Sequence, residues 1–99
     1  MSILMLFELS AHPDRVEDLC GFLRGSLPDT RAWEGCEGVT VHRDQEDPTA
    51  ILLVERWASR EHYQAYQDWR DGRADEAAHV RTLVTGKPAV RFFDHVDDV

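Results

Sequence analysis

The sequence predicts an α+β domain of the ferredoxin-like β-α-β-β-α-β pattern, a four-stranded antiparallel sheet with its helices on one face. Three observations carry this. Segments 2–10, 38–44, 50–58 and 89–96 read as strands with the two-residue period of a pleated chain. Between the first and second, and again between the third and fourth, apolar residues recur at the helical period. The second and third are joined only by the polar run Gln45-Glu46-Asp47-Pro48-Thr49, a hairpin connection. Ninety-nine residues make one domain, 1–99, with no room for a second.

The first strand places Ile3, Met5, Phe7 and Leu9 on one face and Leu4, Leu6 and Glu8 on the other. Ala11-His12-Pro13 breaks it. Pro13 suits the first turn of a helix, and Asp14, Glu17 and Asp18 suit its positive end. Val16, Leu19, Cys20, Leu23 and Leu27 form the inward stripe, and Pro28 is expected to stop the helix, with at most a short helical turn over Asp29–Trp33. Glu34–Gly38 reads as a turn. The third strand sets Ile51, Leu53, Glu55 and Trp57 against Leu52, Val54 and Arg56. Ser59 is a helix N-cap with Glu61 in the first turn, and Tyr63, Tyr66 and Trp69 follow at helical spacing. Gly72 interrupts that helix, and a second piece runs from Ala74 to Val84. In the last strand Val90, Phe92 and Asp94 oppose Arg91, Phe93 and His95.

Helices can cover only one face of such a sheet. The other face still carries apolar residues on the first, third and fourth strands, so a second layer is required. The simplest source is another copy of the chain, which predicts a homodimer with its sheets face to face. Arg56 and Arg91 fall on that outer face, where acids of a partner copy would pair with them.

Composition narrows the function. The net charge of −8 opposes nucleic acid and anionic lipid as partners, because phosphates require a basic patch. The opening MSILMLFELS has no basic segment, and its apolar run is too short for a signal peptide or a membrane span, which predicts a soluble cytoplasmic protein. Cys20 and Cys36 fit neither a zinc knuckle nor a CxxC redox pair. No phosphate loop, dinucleotide fingerprint or nucleophile elbow occurs. The five histidines share no HxH or HxxxH spacing, so no metal site is expected.

The aromatic set is the strongest chemical signal. Trp33, Trp57, Tyr66 and Trp69 are candidates to line a pocket for a small aromatic molecule, since large rings with polar tips bind such ligands; packing alone is the competing explanation. Glu55 shares a face with Trp57. Facing an aromatic pocket, its carboxylate would have a raised pKa and serve as a base; the alternative is a salt bridge to a helix arginine. His42 and His79 are further candidate bases.

The chain resembles the antibiotic biosynthesis monooxygenase family. The resemblance rests on Gly35-Cys36-Glu37-Gly38 entering the second strand, Asp47-Pro48 in the hairpin, and Glu55-Arg56-Trp57-Ala58-Ser59 running into Glu61-His62-Tyr63. It implies a dimeric α/β barrel of ferredoxin-like subunits. It also implies a cofactor-independent monooxygenase acting on a phenol or hydroquinone, with Trp57 at the pocket wall. Quinone-forming members carry an asparagine four residues before that tryptophan, where this chain has Leu53. Haem-degrading members carry an iron-binding histidine about ten residues after it, where this chain has Gln67. In the implied reaction the substrate stacks on Trp57 and Trp69, a base among His42, Glu55 and His79 takes a proton, and the resulting anion reduces dioxygen with neither flavin nor metal. The alternative is a non-catalytic dimeric domain that binds a small aromatic metabolite.

Overall fold

A computed structural model describes residues 2–99. The order is β1 (Ile3–Ser10), α1 (Val16–Ala32), β2 (Cys36–Arg43), β3 (Ala50–Trp57), α2 (Arg60–Asp71), α3 (Ala74–Leu83) and β4 (Ala89–Asp94). The sheet is four-stranded and antiparallel, in the order β2-β3-β1-β4. This is the expected ferredoxin-like α+β fold, with its second helix split at Gly72.

Two helix boundaries differ from expectation. Pro13 and Asp14 form a turn ahead of α1, closed by Arg15 N–H donating to the His12 carbonyl, so the helix begins at Val16. Pro28 does not end it: α1 continues to Ala32. Proline removes one backbone hydrogen bond from the ladder. Tertiary contacts beyond it hold the last turn. Thr30 is buried and its hydroxyl shares a hydrogen bond of 2.6 Å with the Tyr66 hydroxyl. Arg31 donates to the Val39 carbonyl at 3.1 Å. At the other end of the chain β4 stops at Asp94, two residues short of the expected strand.

Strand parity decides what the helices cover. Met5, Leu9, Ile51, Leu53, Glu55 and Trp57 are all buried beneath the helices. They form two clusters. One joins Leu9, Ile51, Leu53 and Val39 to Leu19, Leu23 and Leu27 of α1 and Leu83 of α3. The other joins Met5 and Trp57 to Tyr63 and Tyr66 of α2. On the opposite face Leu4, Leu6, Leu52, Val54 and Phe93 are only half-buried, with no helix above them. Arg56 and Arg91 lie on this face and form no ion pair among the described residues; the Arg91 guanidinium sits 4.8 Å from the Phe93 ring centre.

The hinge between β3 and α2 is tightly built. Ser59 caps α2, accepting from His62 N–H at 3.2 Å, and its hydroxyl also meets His62 Nδ1 at 2.7 Å. The Gly35 carbonyl accepts from Ala58 N–H at 2.7 Å. Gly35 has a φ of +87°, and a Cβ there would lie 2.3 Å from the His62 ring. Only glycine satisfies both the backbone angle and the close approach.

Candidate functional site

Between the helix layer and the sheet lies a cavity of about 470 Å³. Its floor is Met5, Phe7 and Leu9 of β1 with Leu53 and Glu55 of β3. Phe22, Leu23 and Ser26 of α1 form one wall, Tyr63, Tyr66, Gln67 and Arg70 of α2 another, and Ala77, Val80 and Arg81 of α3 a third. Gly86-Lys87-Pro88, the strap leading into β4, completes the rim. The strap is anchored where Thr85 N–H donates to the Ser10 carbonyl at 2.7 Å and His12 N–H to the Leu83 carbonyl at 3.0 Å. The volume is within the range of small-molecule sites, and the lining is mainly apolar with a few placed polar groups, as such sites require.

Glu55 is the polar feature of the floor. It is 4% exposed. Its Oε1 accepts from the Trp57 indole N–H at 2.9 Å, the one hydrogen bond to this carboxyl among the described residues. Burial pushes its pKa up, while the indole hydrogen bond and the distant Arg70 charge pull the other way. The salt bridge to a helix arginine, the alternative that the sequence offers, does not form among the described residues. Arg70, whose charge acts on Glu55 from a distance, is committed elsewhere: it donates to Glu76 at 2.8 Å, the Tyr66 hydroxyl at 2.7 Å, the Ser26 carbonyl at 2.9 Å and Thr30 Oγ1 at 3.3 Å. One guanidinium thus ties α1, α2 and α3 together in the cavity wall. Tyr63 donates its hydroxyl to Gln67 Oε1 at 3.0 Å, and burial, with the nearby Glu55 charge, pushes its pKa to about 12. It is a neutral hydrogen-bonding group across the physiological range.

Of the candidate bases and pocket-lining rings named from the sequence, Glu55 and Tyr66 reach the cavity. Trp57 is fully buried behind Glu55, tilted against Tyr66 and edge-on to Tyr63, with ring centres 5.2 and 5.6 Å away. Trp33 and Trp69 pack against each other with tilted rings 5.0 Å apart, and both contact Tyr66, with ring centres 5.8 and 6.2 Å from its own. They support the α2 wall and do not line the cavity. His42 projects from the opposite, open face of the sheet, paired across the strands with Leu52 and bonded to Thr40 Oγ1 at 2.8 Å. His79 is exposed on α3, its ring 5.6 Å from that of Phe22, which does line the cavity. The candidate bases are therefore not brought together, and Glu55 alone among them lines the cavity. Sequence reasoning missed Phe22, Ser26, Arg70 and Arg81. Arg70 had a signal: a cation one helical turn beyond Tyr66 and within reach of Glu76 across the Gly72 break. Among the described residues no group of His, Cys, Asp and Glu side chains is arranged to hold a metal, and both cysteines are free.

The family model described as antibiotic biosynthesis monooxygenase matches residues 2–82. The chain belongs to that family. Solved structures agree on the fold. Rv0793 of Mycobacterium tuberculosis is 22% identical, with a TM-score of 0.77 over 99% of this chain and 98% of that one. A Nitrosomonas europaea protein of unknown function is 19% identical, with a TM-score of 0.81 over 99% and 92% of the two chains. A structure named antibiotic biosynthesis monooxygenase is 16% identical, with a TM-score of 0.82 over 95% and 98%. No curated protein matches the chain. Within this antibiotic biosynthesis monooxygenase domain, Leu53 and Gln67 both line the cavity. These are the positions at which the family resemblance places an asparagine in quinone-forming members and a histidine in haem-degrading ones. No helix among the described residues is long and apolar enough to cross a membrane.

Proposed function

We propose that this member of the family is a cofactor-independent monooxygenase that oxidises a small phenol or hydroquinone in the cavity between its helices and sheet. The observation that carries this reading is the cavity itself: a mainly apolar space with one carboxyl on its floor, fixed through one oxygen by Trp57 and free at the other. Glu55 takes the phenolic proton. A carboxylate whose pKa is raised by burial is a stronger base than a solvated one, which suits this step. The electron-rich ring gives electrons to dioxygen and bonds one of its oxygens at a ring carbon. The resulting hydroperoxide loses water to leave a carbonyl. Phenol and dioxygen thus become quinone and water, with no other reductant. Tyr63 and Phe7 bound the ring, and the apolar lining around them limits the water that reaches the anion. His42 and His79 have no part in the reaction. Trp57 acts through Glu55 rather than by stacking on the substrate.

The same reading includes a homodimer. Leu4, Leu6, Leu52, Val54 and Phe93 form a half-exposed apolar face on a short chain, and a second copy laid face to face covers both sheets.

Oxygen uptake with a panel of phenols and hydroquinones tests the reaction, comparing wild type with Glu55→Gln and His79→Ala. The reading expects uptake that Glu55→Gln lowers at least a hundredfold, the range for loss of a general base, and that His79→Ala leaves unchanged. Turnover in the absence of oxygen at the aerobic rate refutes it. Binding of the same compounds with no uptake from any of them favours the non-catalytic binding domain.

A further inference from the structure

The charged groups around the cavity are not arranged symmetrically. Three cations and three acids line it: Arg70, Arg81 and Lys87 against Glu55, Asp71 and Glu76. Arg70 and Glu76 form an ion pair at 2.8 Å, and Glu76 is also held by Arg73 at 2.7 Å. Asp71 accepts from the Gln67 amide at 2.8 Å and is exposed. Glu55 is buried on the floor and among the described residues is bonded only to the Trp57 indole. Arg81 and Lys87 remain. Both are exposed at the rim, one on α3 and one on the strap, and neither has an ion pair or a side-chain hydrogen bond among the described residues. The site therefore has an acid at its inner end, and at its mouth two cations and one exposed acid, Asp71, none of them in an ion pair among the described residues, in a chain whose net charge is −8.

We propose that the cavity takes an aromatic compound with a hydroxyl at one end and a carboxylate at the other, bound with the hydroxyl on Glu55 and the carboxylate between Arg81 and Lys87. This rests on the reading that the cavity is the ligand site, and it adds the ligand's charge and direction. A carboxylate at the inner end would face Glu55 and lose its hydration without a partner. At the mouth it stays partly solvated and meets both cations. A hydroxyl at the inner end donates to the free oxygen of Glu55, the geometry its deprotonation needs. The aromatic body spans the apolar floor of Met5, Phe7 and Leu53. The rim cations then also draw an anionic ligand to a protein that otherwise repels it.

Calorimetric titration of the purified protein tests this with three probes: a hydroxynaphthoate with its two groups at opposite ends, its methyl ester, and the naphthoate lacking the hydroxyl. The free acid is expected to bind about three- to tenfold tighter than the ester, the range for partly exposed charge contacts with two cations. That preference disappears in Arg81→Gln/Lys87→Gln, in which acid and ester bind equally, and it shrinks at high salt. Equal affinity for acid and ester, a preference that survives in the double variant, or binding by none of the probes overturns the proposal. A Glu55→Gln variant that tightens the acid more than the ester places the carboxylate at the inner end and overturns it as well. The outcome is separable from catalysis: the acid preference with no oxygen uptake upholds this orientation and defeats the oxygenase reading, and uptake without the preference does the reverse.

Discussion

Replacing Glu55 by glutamine should make the protein more stable at neutral pH and nearly indifferent in acid. Glu55 is 4% exposed and receives one hydrogen bond, from the Trp57 indole at 2.9 Å. Glutamine keeps an oxygen to accept that bond and removes the charge. Burial raises the carboxyl's pKa in the folded protein above its usual 4.5, so the folded state holds this proton at a pH where the unfolded chain has lost it. Stability from the protonated form is fully present below the unfolded pKa and is lost as pH rises through the folded one. Above that window the wild type must hold an ion where water is scarce. Desolvating a polar group without full compensation costs about 1–3 kcal/mol. For a domain of this size each kcal/mol moves Tm by about 4–8 °C. Glu55→Gln is therefore expected to raise Tm by at least about 4 °C at pH 8 and by little or nothing at pH 4. Thermal unfolding followed by circular dichroism across that range reads both arms. A variant less stable than wild type at pH 8, or a gain of equal size at every pH, would refute the reasoning, because either result means that the carboxylate is compensated by a partner.

Other perturbations follow from the same geometry. Gly35→Ala combines a positive φ with a Cβ placed 2.3 Å from the His62 ring, so it should cost about 2–4 kcal/mol through backbone strain and a displaced α2 cap, read as a lower urea midpoint. Arg70→Ala removes the contacts to Ser26, Thr30, Tyr66 and Glu76 together; a loss of about 2–3 kcal/mol is expected, with hydrogen exchange accelerated in all three helices rather than in α2 alone. Trp57→Phe keeps an aromatic ring in the core but leaves Glu55 without its donor. It should shift the pH profile of oxygen uptake upward, as the carboxyl loses the contact that favours its ionised form, and an unmoved profile would count against Trp57 acting through Glu55. Val54→Glu on the open sheet face should leave a folded monomer by analytical ultracentrifugation, and an unchanged sedimentation coefficient would separate that face from self-association.

Much of the fold is visible in the chain itself, for local reasons. Ser59 announces the start of α2 because its hydroxyl serves the backbone three residues on, and Gly72 marks the break because glycine weakens a helix wherever it falls. The parity of Ile51, Leu53, Glu55 and Trp57 needs only the pleat. Pro28 misleads because the compensation is remote: Thr30 is held by Tyr66 and Arg70, thirty-six and forty residues away. The candidate site divides in the same way. Glu55 emerges from its face and its neighbour. Trp57 shares that face and still misses the cavity, because depth along a strand is set by what packs above it, and here Tyr63 and Tyr66 close over the indole. His42 was separable by parity alone, since it alternates with Val41 and so points away from the helices. The width of the cavity lies beyond local reading, since it depends on how far α3 stands from the sheet.

That width has a thermodynamic consequence. A space of about 470 Å³ is a place where the native chain has not used all the packing available to it. Whatever fills it binds the folded state and not the unfolded one, so occupancy adds to the unfolding free energy by mass action. At a hundredfold excess over Kd the gain is about 2.7 kcal/mol, on the order of 10–20 °C in a domain this small. A melting-temperature survey of small molecules would thus rank natural ligands by how well they finish the core, with no assumption about the reaction that follows.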